Sequence, residues 1–166
     1  MKKLVTVLLV CTTLRVAAFA QNESDFKTDG KGTITGYDGW DTVIVIPAQI
    51  GAISITAIGN GAFKNMGITG VTFPAGITRI GDEAFATNKL ASVAIADGAS
   101  VGKSAFSSNL LTSITVGKGV TINEQAFSGN KLASVAIADG TTVGKSAFSS
   151  NQLTSLTVGD RVTIHE

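Results

Sequence analysis

Residues 80–95 read IGDEAFATNKLASVAI, and the same pattern returns along most of the chain. An alanine–phenylalanine pair recurs five times at nearly constant intervals. Its phenylalanines are Phe63, Phe85, Phe106, Phe127 and Phe148, so the last three intervals are equal and the first is longer by a single position. A fixed period of about 21 residues is typical of a solenoid, because one coil of that length is too small to bury its own apolar face. We therefore predict that the five rings form one column through a continuous core, the phenylalanine column.

Aliphatic side chains follow the same period. An apolar residue stands five positions before each of these phenylalanines, and others follow it at the fifth, eighth and tenth positions. Stretches such as Ser92–Ile95 alternate small or polar residues with β-branched ones, which predicts short strands. Glycines follow these strands at positions typical of turns. The sequence thus predicts a mainly β solenoid with short turns or 3-10 segments, built from about five repeats of about 21–22 residues each.

The chain divides into three segments. Lys2 and Lys3 precede an apolar stretch, and small residues stand at Ala18 and Ala20, which together predict a cleavable signal peptide over residues 1–20. An uncleaved anchor or a lipidated Cys11 fits these residues less well. Residues 21–54 are expected to form a lead-in with a β cap, and residues 55–166 the repeats, the last of them incomplete.

Composition limits the function. Removing residues 1–20 would leave 10 basic and 12 acidic residues and no cysteine. We expect an exported protein, whether secreted, periplasmic or on the cell surface, without a membrane span after signal removal. A basic patch that could bind nucleic acid is not predicted. The single histidine, His165, offers no catalytic or metal-binding arrangement, so the sequence predicts no catalytic residue, no metal and no cofactor.

The repeat resembles a known family. The phrase Ile80-Gly81-x-x-Ala84-Phe85, followed by Asn88-x-Leu90-x-Ser92-Val93-x-Ile95, is similar to the BspA-like, treponemal-type leucine-rich repeat. The likeness covers about residues 33–166, and its lead-in strands resemble the segment that precedes the first repeat in that family. It implies right-handed coils and an exported bacterial protein that makes protein–protein or host-surface adhesion contacts without catalysis. The chain departs from the family by carrying asparagine where many members carry cysteine.

The resemblance also implies where a partner binds. In leucine-rich repeats the concave strand face is the usual contact surface, so we expect it to bind a protein or glycan here. The outward positions on these strands, which we call the strand face, are Thr72, Ser92, Ala94, Ser113, Thr115, Ser134, Ala136, Ser155 and Thr157. They carry hydroxyl and methyl groups without charge or aromatic rings, whereas interface hot spots favour Trp, Tyr and Arg. The face could therefore bind an extended polar ligand weakly, or it could be passive.

Two further columns follow the period. The charge column consists of Asp82, Lys103, Glu124, Lys145 and Glu166, which recur at the period of the repeat and alternate in sign. Opposite charges that stack in this way support the register between coils. The asparagine column consists of Asn88, Asn109, Asn130 and Asn151. Its amides are expected to bond to one another and to turn backbone, as in stacked amide ladders, although a binding stripe is the alternative.

The two ends of the repeat region carry separate expectations. Tyr37 and Trp40 are the only Tyr and Trp residues, and we expect them to cover the apolar end of the first coil, since terminal units must cap a solenoid. An exposed aromatic anchor is the alternative. Residues 164–166 stop within a repeat, and an open strand edge invites pairing with another chain. A self-associating scaffold that uses this C-terminal end is therefore the alternative function.

Overall fold

The computed structural model describes residues 21–166. The predicted signal peptide, with the cleavage site after Ala20, lies outside these residues. The described part begins with one 3-10 turn, Glu23–Asp25, and continues through sixteen strands. The strands are β1 (Phe26–Thr28), β2 (Thr33–Tyr37), β3 (Val43–Val45), β4 (Gln49–Ile50), β5 (Ile53–Ser54), β6 (Ala57–Ile58), β7 (Gly70–Thr72), β8 (Arg79–Ile80), β9 (Ser92–Ile95), β10 (Ser100–Val101), β11 (Ser113–Val116), β12 (Thr121–Ile122), β13 (Ser134–Ile137), β14 (Thr142–Val143), β15 (Ser155–Val158) and β16 (Thr163–Ile164).

One long sheet runs the length of the solenoid. Its order is β1-β2-β6-β8-β10-β12-β14-β16, and all its pairs are parallel except the β1–β2 hairpin. Val101 pairs with Ile122, and Val143 with Ile164, so neighbouring strands are one period of the repeat apart. Six of these strands, β6 to β16, mark about six turns of the coil. The predicted mainly β solenoid is confirmed, with one turn more than the five phenylalanines indicate because a strand precedes the first ring and another follows the last.

Parallel strands of three or four residues form the opposite wall. They pair as β3–β7, β9–β11 and β13–β15. Ser92 lies opposite Ser113, and Ala94 opposite Thr115. On these strands the alternate side chains point inward, so Val93 and Ile95 are buried while the two residues beside them are exposed. This alternation builds the core on one side and a regular outer face on the other.

The phenylalanine column occupies the centre of the core. Successive rings from Phe63 to Phe148 stack with centroids 4.9, 5.4, 5.3 and 5.5 Å apart and planes within 7° of parallel. The first four rings are fully buried, and Phe148 is partly buried. At the N-terminal end, Phe26 and Tyr37 of the β1–β2 hairpin pack on Phe63, with centroids 6.4 and 5.9 Å away. The hairpin therefore covers the first ring of the column.

An aspartate–glycine contact fastens one coil to the next. The carboxylate of Asp82 accepts the backbone N–H of Lys103 at 2.8 Å. A Cβ on Gly102 would lie only 2.6 Å from the backbone nitrogen of Asp82, so only glycine fits beside the folded-back side chain. The same contact recurs at Asp97–Gly117–Lys118 and at Asp139–Gly159–Asp160. The strict spacing between coils thus depends on backbone contacts as well as on the core.

Candidate interaction surface

The strand face is exposed along its whole length. All nine residues predicted for it, Thr72 to Thr157, lie on the outward side of β7, β9, β11, β13 and β15. Paired strands place hydroxyl beside hydroxyl in one row, as with Ser134 and Ser155, and methyl beside hydroxyl in the next, as with Ala136 and Thr157. The rows offer hydrogen-bond donors and acceptors at regular intervals, without charge.

The face is indented near its N-terminal end. A groove of about 420 Å³ lies over β7, β9 and β11, and its floor includes Thr72, Ser92 and Ser113. A smaller apolar pocket of about 190 Å³ lies beside it, and Phe73 and Ala94 line both. The groove therefore combines hydroxyl groups with an apolar border, which suits an extended ligand that carries both polar and apolar groups.

The strand face begins one coil earlier than the repeat pattern indicates. Val43 and Val45 of β3 lie opposite Gly70 and Thr72 of β7, and their side chains are 59% and 52% exposed. Sequence reasoning missed them because the segment from Val43 to Ile46 is uniformly apolar, which conceals its alternation. Residues two apart on a strand occupy one face. Treating residues 43–46 as a further strand of this wall would therefore have placed the β-branched Val43 and Val45 together on its outer face. The first coil thus gives this surface an apolar end.

Trp40 corrects the predicted cap. We expected Tyr37 and Trp40 to cover the apolar end of the first coil together. Tyr37 does so and is 5% exposed, but Trp40 is 98% exposed. The reason is local, because Trp40 lies in the irregular segment between β2 and β3, outside the strand positions that alternate into the core. The indole lines a cavity of about 220 Å³ with Tyr37 and Met66.

Burial of Tyr37 perturbs its acidity. Its hydroxyl donates to the carboxylate of Asp41 at 2.9 Å. Removal from water, with the hydrogen bond and the negative charge of Asp41, raises the pKa of Tyr37 to about 12. The folded protein therefore favours the neutral phenol of Tyr37, because ionisation would place a second negative charge beside Asp41.

This pKa predicts an alkaline loss of stability. The phenol has an ordinary pKa of 10.0 and a folded-state pKa of about 12. Its contribution of about 2–3 kcal/mol is therefore fully present below pH 10.0 and lost as the pH rises towards 12. We expect ultraviolet absorbance of the single tyrosine to show phenolate formation near pH 12 in the folded protein. The Tyr37→Phe variant should lose this part of the alkaline destabilisation, and a phenolate that forms near pH 10 before unfolding would contradict the prediction.

The charge column shows two kinds of contact. Lys103 Nζ lies 2.9 Å from the carboxylate of Glu124 in the next coil. On its other side, Asp82 uses its carboxylate to accept the backbone N–H of Lys103. Lys145 and Glu166 are exposed further along the same column. Lys103 therefore contacts two carboxylates, that of Glu124 through its ammonium group and that of Asp82 through its backbone N–H.

We expect charge reversal at Lys103 to weaken the stack at low salt. Lys103→Glu places a third carboxylate beside Asp82 and Glu124, whereas Lys103→Gln only removes a charge. The side chains of the Lys103–Glu124 pair are 55% and 44% exposed, so the effect of each change is expected to stay within about 1 kcal/mol. Urea midpoints at low ionic strength should follow the order wild type, Lys103→Gln, Lys103→Glu. The difference should shrink at high salt, and equal midpoints for the two variants at low salt would reject the charge column.

The asparagine column is bonded to backbone. Asn109 donates to the carbonyl of Phe85 in the preceding coil at 2.9 Å and to that of Phe106 in its own coil at 3.1 Å. Its side-chain oxygen accepts the N–H of Leu90 at 3.1 Å. Asn88, Asn130 and Asn151 make the corresponding contacts. The predicted hydrogen bonds from these amides to turn backbone are confirmed. The prediction of hydrogen bonds from amide to amide is wrong, because each amide bonds instead to main-chain groups of two neighbouring coils.

The described part of the chain shows no metal-binding cluster and no membrane-spanning helix. Within residues 21–166, no group of three or more His, Cys, Asp or Glu side chains is arranged to hold a metal ion. His165 is exposed. A helix with the length and apolarity needed to cross a membrane is likewise not found over this range.

Comparison with known proteins gives a family and a structural likeness. The family model for the BspA type leucine rich repeat region matches residues 49–166 in six copies. A crystal structure of a leucine rich cell surface protein from Faecalibacterium prausnitzii A2-165 is similar at 26% identity and a TM-score of 0.43. The similarity covers 80% of this chain and 52% of that one, so the chain spans about half the length of that protein. No curated protein matches the sequence significantly. Since the family model covers most of its length, this chain belongs to the BspA-type leucine-rich repeat family.

Proposed function

We propose that the protein is an exported, non-catalytic binding module that makes protein–protein or surface adhesion contacts through its strand face. Export rests on the signal-peptide pattern of residues 1–20. The family supports contact rather than catalysis. The observation that carries the proposal is the strand face itself, in which nine outward side chains stay exposed on five strands while the inward ones of β7 to β13 build the core.

The chemistry of the face favours an extended polypeptide or glycan. Regular hydroxyl rows can exchange hydrogen bonds with backbone amides or sugar hydroxyls. The groove over Thr72, Ser92 and Ser113 gives such a ligand a place with an apolar border. Without charge on the face, binding is expected to depend little on ionic strength.

Lysines on the strand face test the proposal. The chain is screened against immobilised extracellular matrix proteins and glycans, and any ligand found is then measured with the double variant Ser113→Lys, Ser134→Lys. Long charged side chains across the hydroxyl row should abolish that binding. A matched control, Thr121→Lys with Thr163→Lys, adds the same charge at exposed positions of the long sheet and should leave binding unchanged. Equal binding by both double variants would reject the strand face as the contact surface.

Self-association through the C-terminal end stays a prediction. The last coil exposes Leu156, Val158 and Ile164 by 50%, 46% and 54%. Each belongs to a column whose earlier members are covered by the following coil. Sedimentation over a range of protein concentrations tests the prediction, and a monomer at all concentrations would count against it.

A further inference from the structure

The side chain of Gln21 forms hydrogen bonds with the outer edge of β3. Ile46 donates its N–H to Thr72 of β7 at 2.9 Å, so the even-numbered residues of this strand direct their backbone groups towards β7. Backbone groups of Val43 and Val45 therefore point the opposite way. There the side-chain amide of Gln21 donates to the Val43 carbonyl at 2.5 Å and accepts the Val45 N–H at 2.8 Å.

The Gln21 amide occupies the position of a peptide group. A primary amide carries the same donor and acceptor as a peptide bond, and this one satisfies both outward groups of β3 as a neighbouring strand would. Among residues 21–166, no strand pairs with β3 on this side. Edge strands are commonly guarded by a lysine, a proline or a bulge, but β3 itself reads Val43-Ile44-Val45 and carries none of these. Within residues 21–166, the Gln21 side chain is therefore what an added strand would displace.

Apolar side chains are exposed on β3 and in the segment that precedes it. Val43 and Val45 are more than half exposed, and Val43 packs across Gly70, with its Cγ1 3.5 Å from where a glycine Cβ would stand. Trp40, three residues before Val43, exposes nearly its whole side chain, and Met66 beside it is 41% exposed. We call Trp40, Val43, Val45 and Met66 the β3 patch. Tryptophan is the residue type most enriched at binding hot spots, together with Tyr and Arg, and the hydroxyl rows further along the face have no counterpart to it.

We propose that the edge of β3 accepts an extended segment of a partner polypeptide, which displaces the Gln21 side chain and lays apolar side chains on the β3 patch. The inference rests on the proposed protein-binding function and names the chemistry of the partner. Backbone pairing supplies hydrogen bonds that any extended peptide can make, and the β3 patch selects for aliphatic or aromatic side chains at alternate positions. A glycan does not fit this edge as well, because it lacks the regular alternation of amide N–H and carbonyl groups that a strand presents.

A strand-forming probe tests this inference on the full chain. The probe is a fluorescein-labelled hexapeptide of alternating threonine and valine, and its binding is followed by fluorescence anisotropy. We expect saturable binding that weakens by at least about tenfold in Trp40→Ala. We expect Gln21→Ala to bind roughly three- to tenfold more tightly, because the competing hydrogen bonds are gone. Trp40 and Gln21 lie outside the core, and circular dichroism confirms that both variants are folded.

Matched controls separate this inference from the proposed function. The same hexapeptide N-methylated at every residue keeps its side chains but loses the backbone donors on both of its edges, and it should not bind. The variant Ser113→Lys, Ser134→Lys should bind the probe as the wild type does, so the strand-face result and the edge result can fail independently. Absence of probe binding, or equal affinities in wild type and Trp40→Ala, would overturn the inference. Concentration-dependent association of the chain that Trp40→Ala abolishes would also overturn it, because the edge would then belong to a second copy.

Discussion

Replacing Phe106 with alanine is expected to lower the free energy of unfolding by about 3–5 kcal/mol. The ring is fully buried and stacks between Phe85 and Phe127, with centroids 5.4 and 5.3 Å away. Its loss leaves a cavity in the middle of the column, where neither neighbour can collapse without breaking the strand register of its own coil. Urea denaturation followed by circular dichroism measures the change.

A conservative variant shows whether packing is the cause. Phe106→Leu keeps an apolar side chain in the column and should lose clearly less stability than Phe106→Ala, because large-to-small changes depend on the volume removed. Since each coil of a solenoid depends on its neighbours, the alanine variant should also broaden the transition as the two sides of the defect begin to unfold separately. A loss below about 1 kcal/mol in Phe106→Ala would be far outside the range for such changes and would place the ring outside the core.

Replacing Asn109 with alanine is expected to be comparably damaging, at about 3 kcal/mol or more. The side chain is 4% exposed, and it satisfies the carbonyls of Phe85 and Phe106 and the N–H of Leu90. Alanine leaves the buried N–H of Leu90 without a partner, at a cost of about 1–3 kcal/mol, and removes one hydrogen bond to each of the two carbonyls, at about 1 kcal/mol each. The Phe85 and Phe106 carbonyls still accept from Asn88 and Asn130, at 3.0 Å each. The free energy of unfolding in urea is again the measurement.

An isosteric variant distinguishes hydrogen bonding from volume. Asn109→Asp keeps the shape of the side chain but replaces the donating NH₂ with an oxygen that faces two carbonyls. We expect it to destabilise the protein at neutral pH at least as strongly as Asn109→Ala, because a buried charge beside carbonyl oxygens is unfavourable. An Asn109→Asp variant close to wild type would show that the asparagine column acts by filling space.

Regular columns were accessible from sequence because a solenoid repeats one environment in every coil. Phe85 and Asn109 belong to such columns, so their spacing was enough to place them. The direction of the Asn109 amide was not accessible, since the period tells which residues stack but not whether an amide points to its neighbour or to the main chain. The contact between Asp82 and Gly102 was missed for a similar reason, although a glycine that stands one position short of a full period after an aspartate could have suggested it.

The first coil escaped prediction because it does not repeat. Trp40 has no counterpart one period later, so composition alone suggested a buried cap, whereas the structure leaves it exposed in the segment that precedes β3. Gln21 gave no signal at all, since a single polar residue outside the repeats is indistinguishable from any other. The surface features that depend on the repeat were thus predictable, while those that make one end of the strand face different were not.

Cross-linking across neighbouring coils tests the account most directly. Ser92 and Ser113 are paired on adjacent strands, at a separation of about 4.8 Å that lies within the range a disulfide spans. Ser134 stands one further coil away, at about twice that separation. With Cys11, the only cysteine, replaced by serine, mild oxidation should join the Ser92→Cys, Ser113→Cys pair in the folded monomer and leave the Ser92→Cys, Ser134→Cys pair reduced. Efficient closure of the second pair, or failure of the first, would contradict the stacking of successive coils on which the core, the strand face and the proposed function depend.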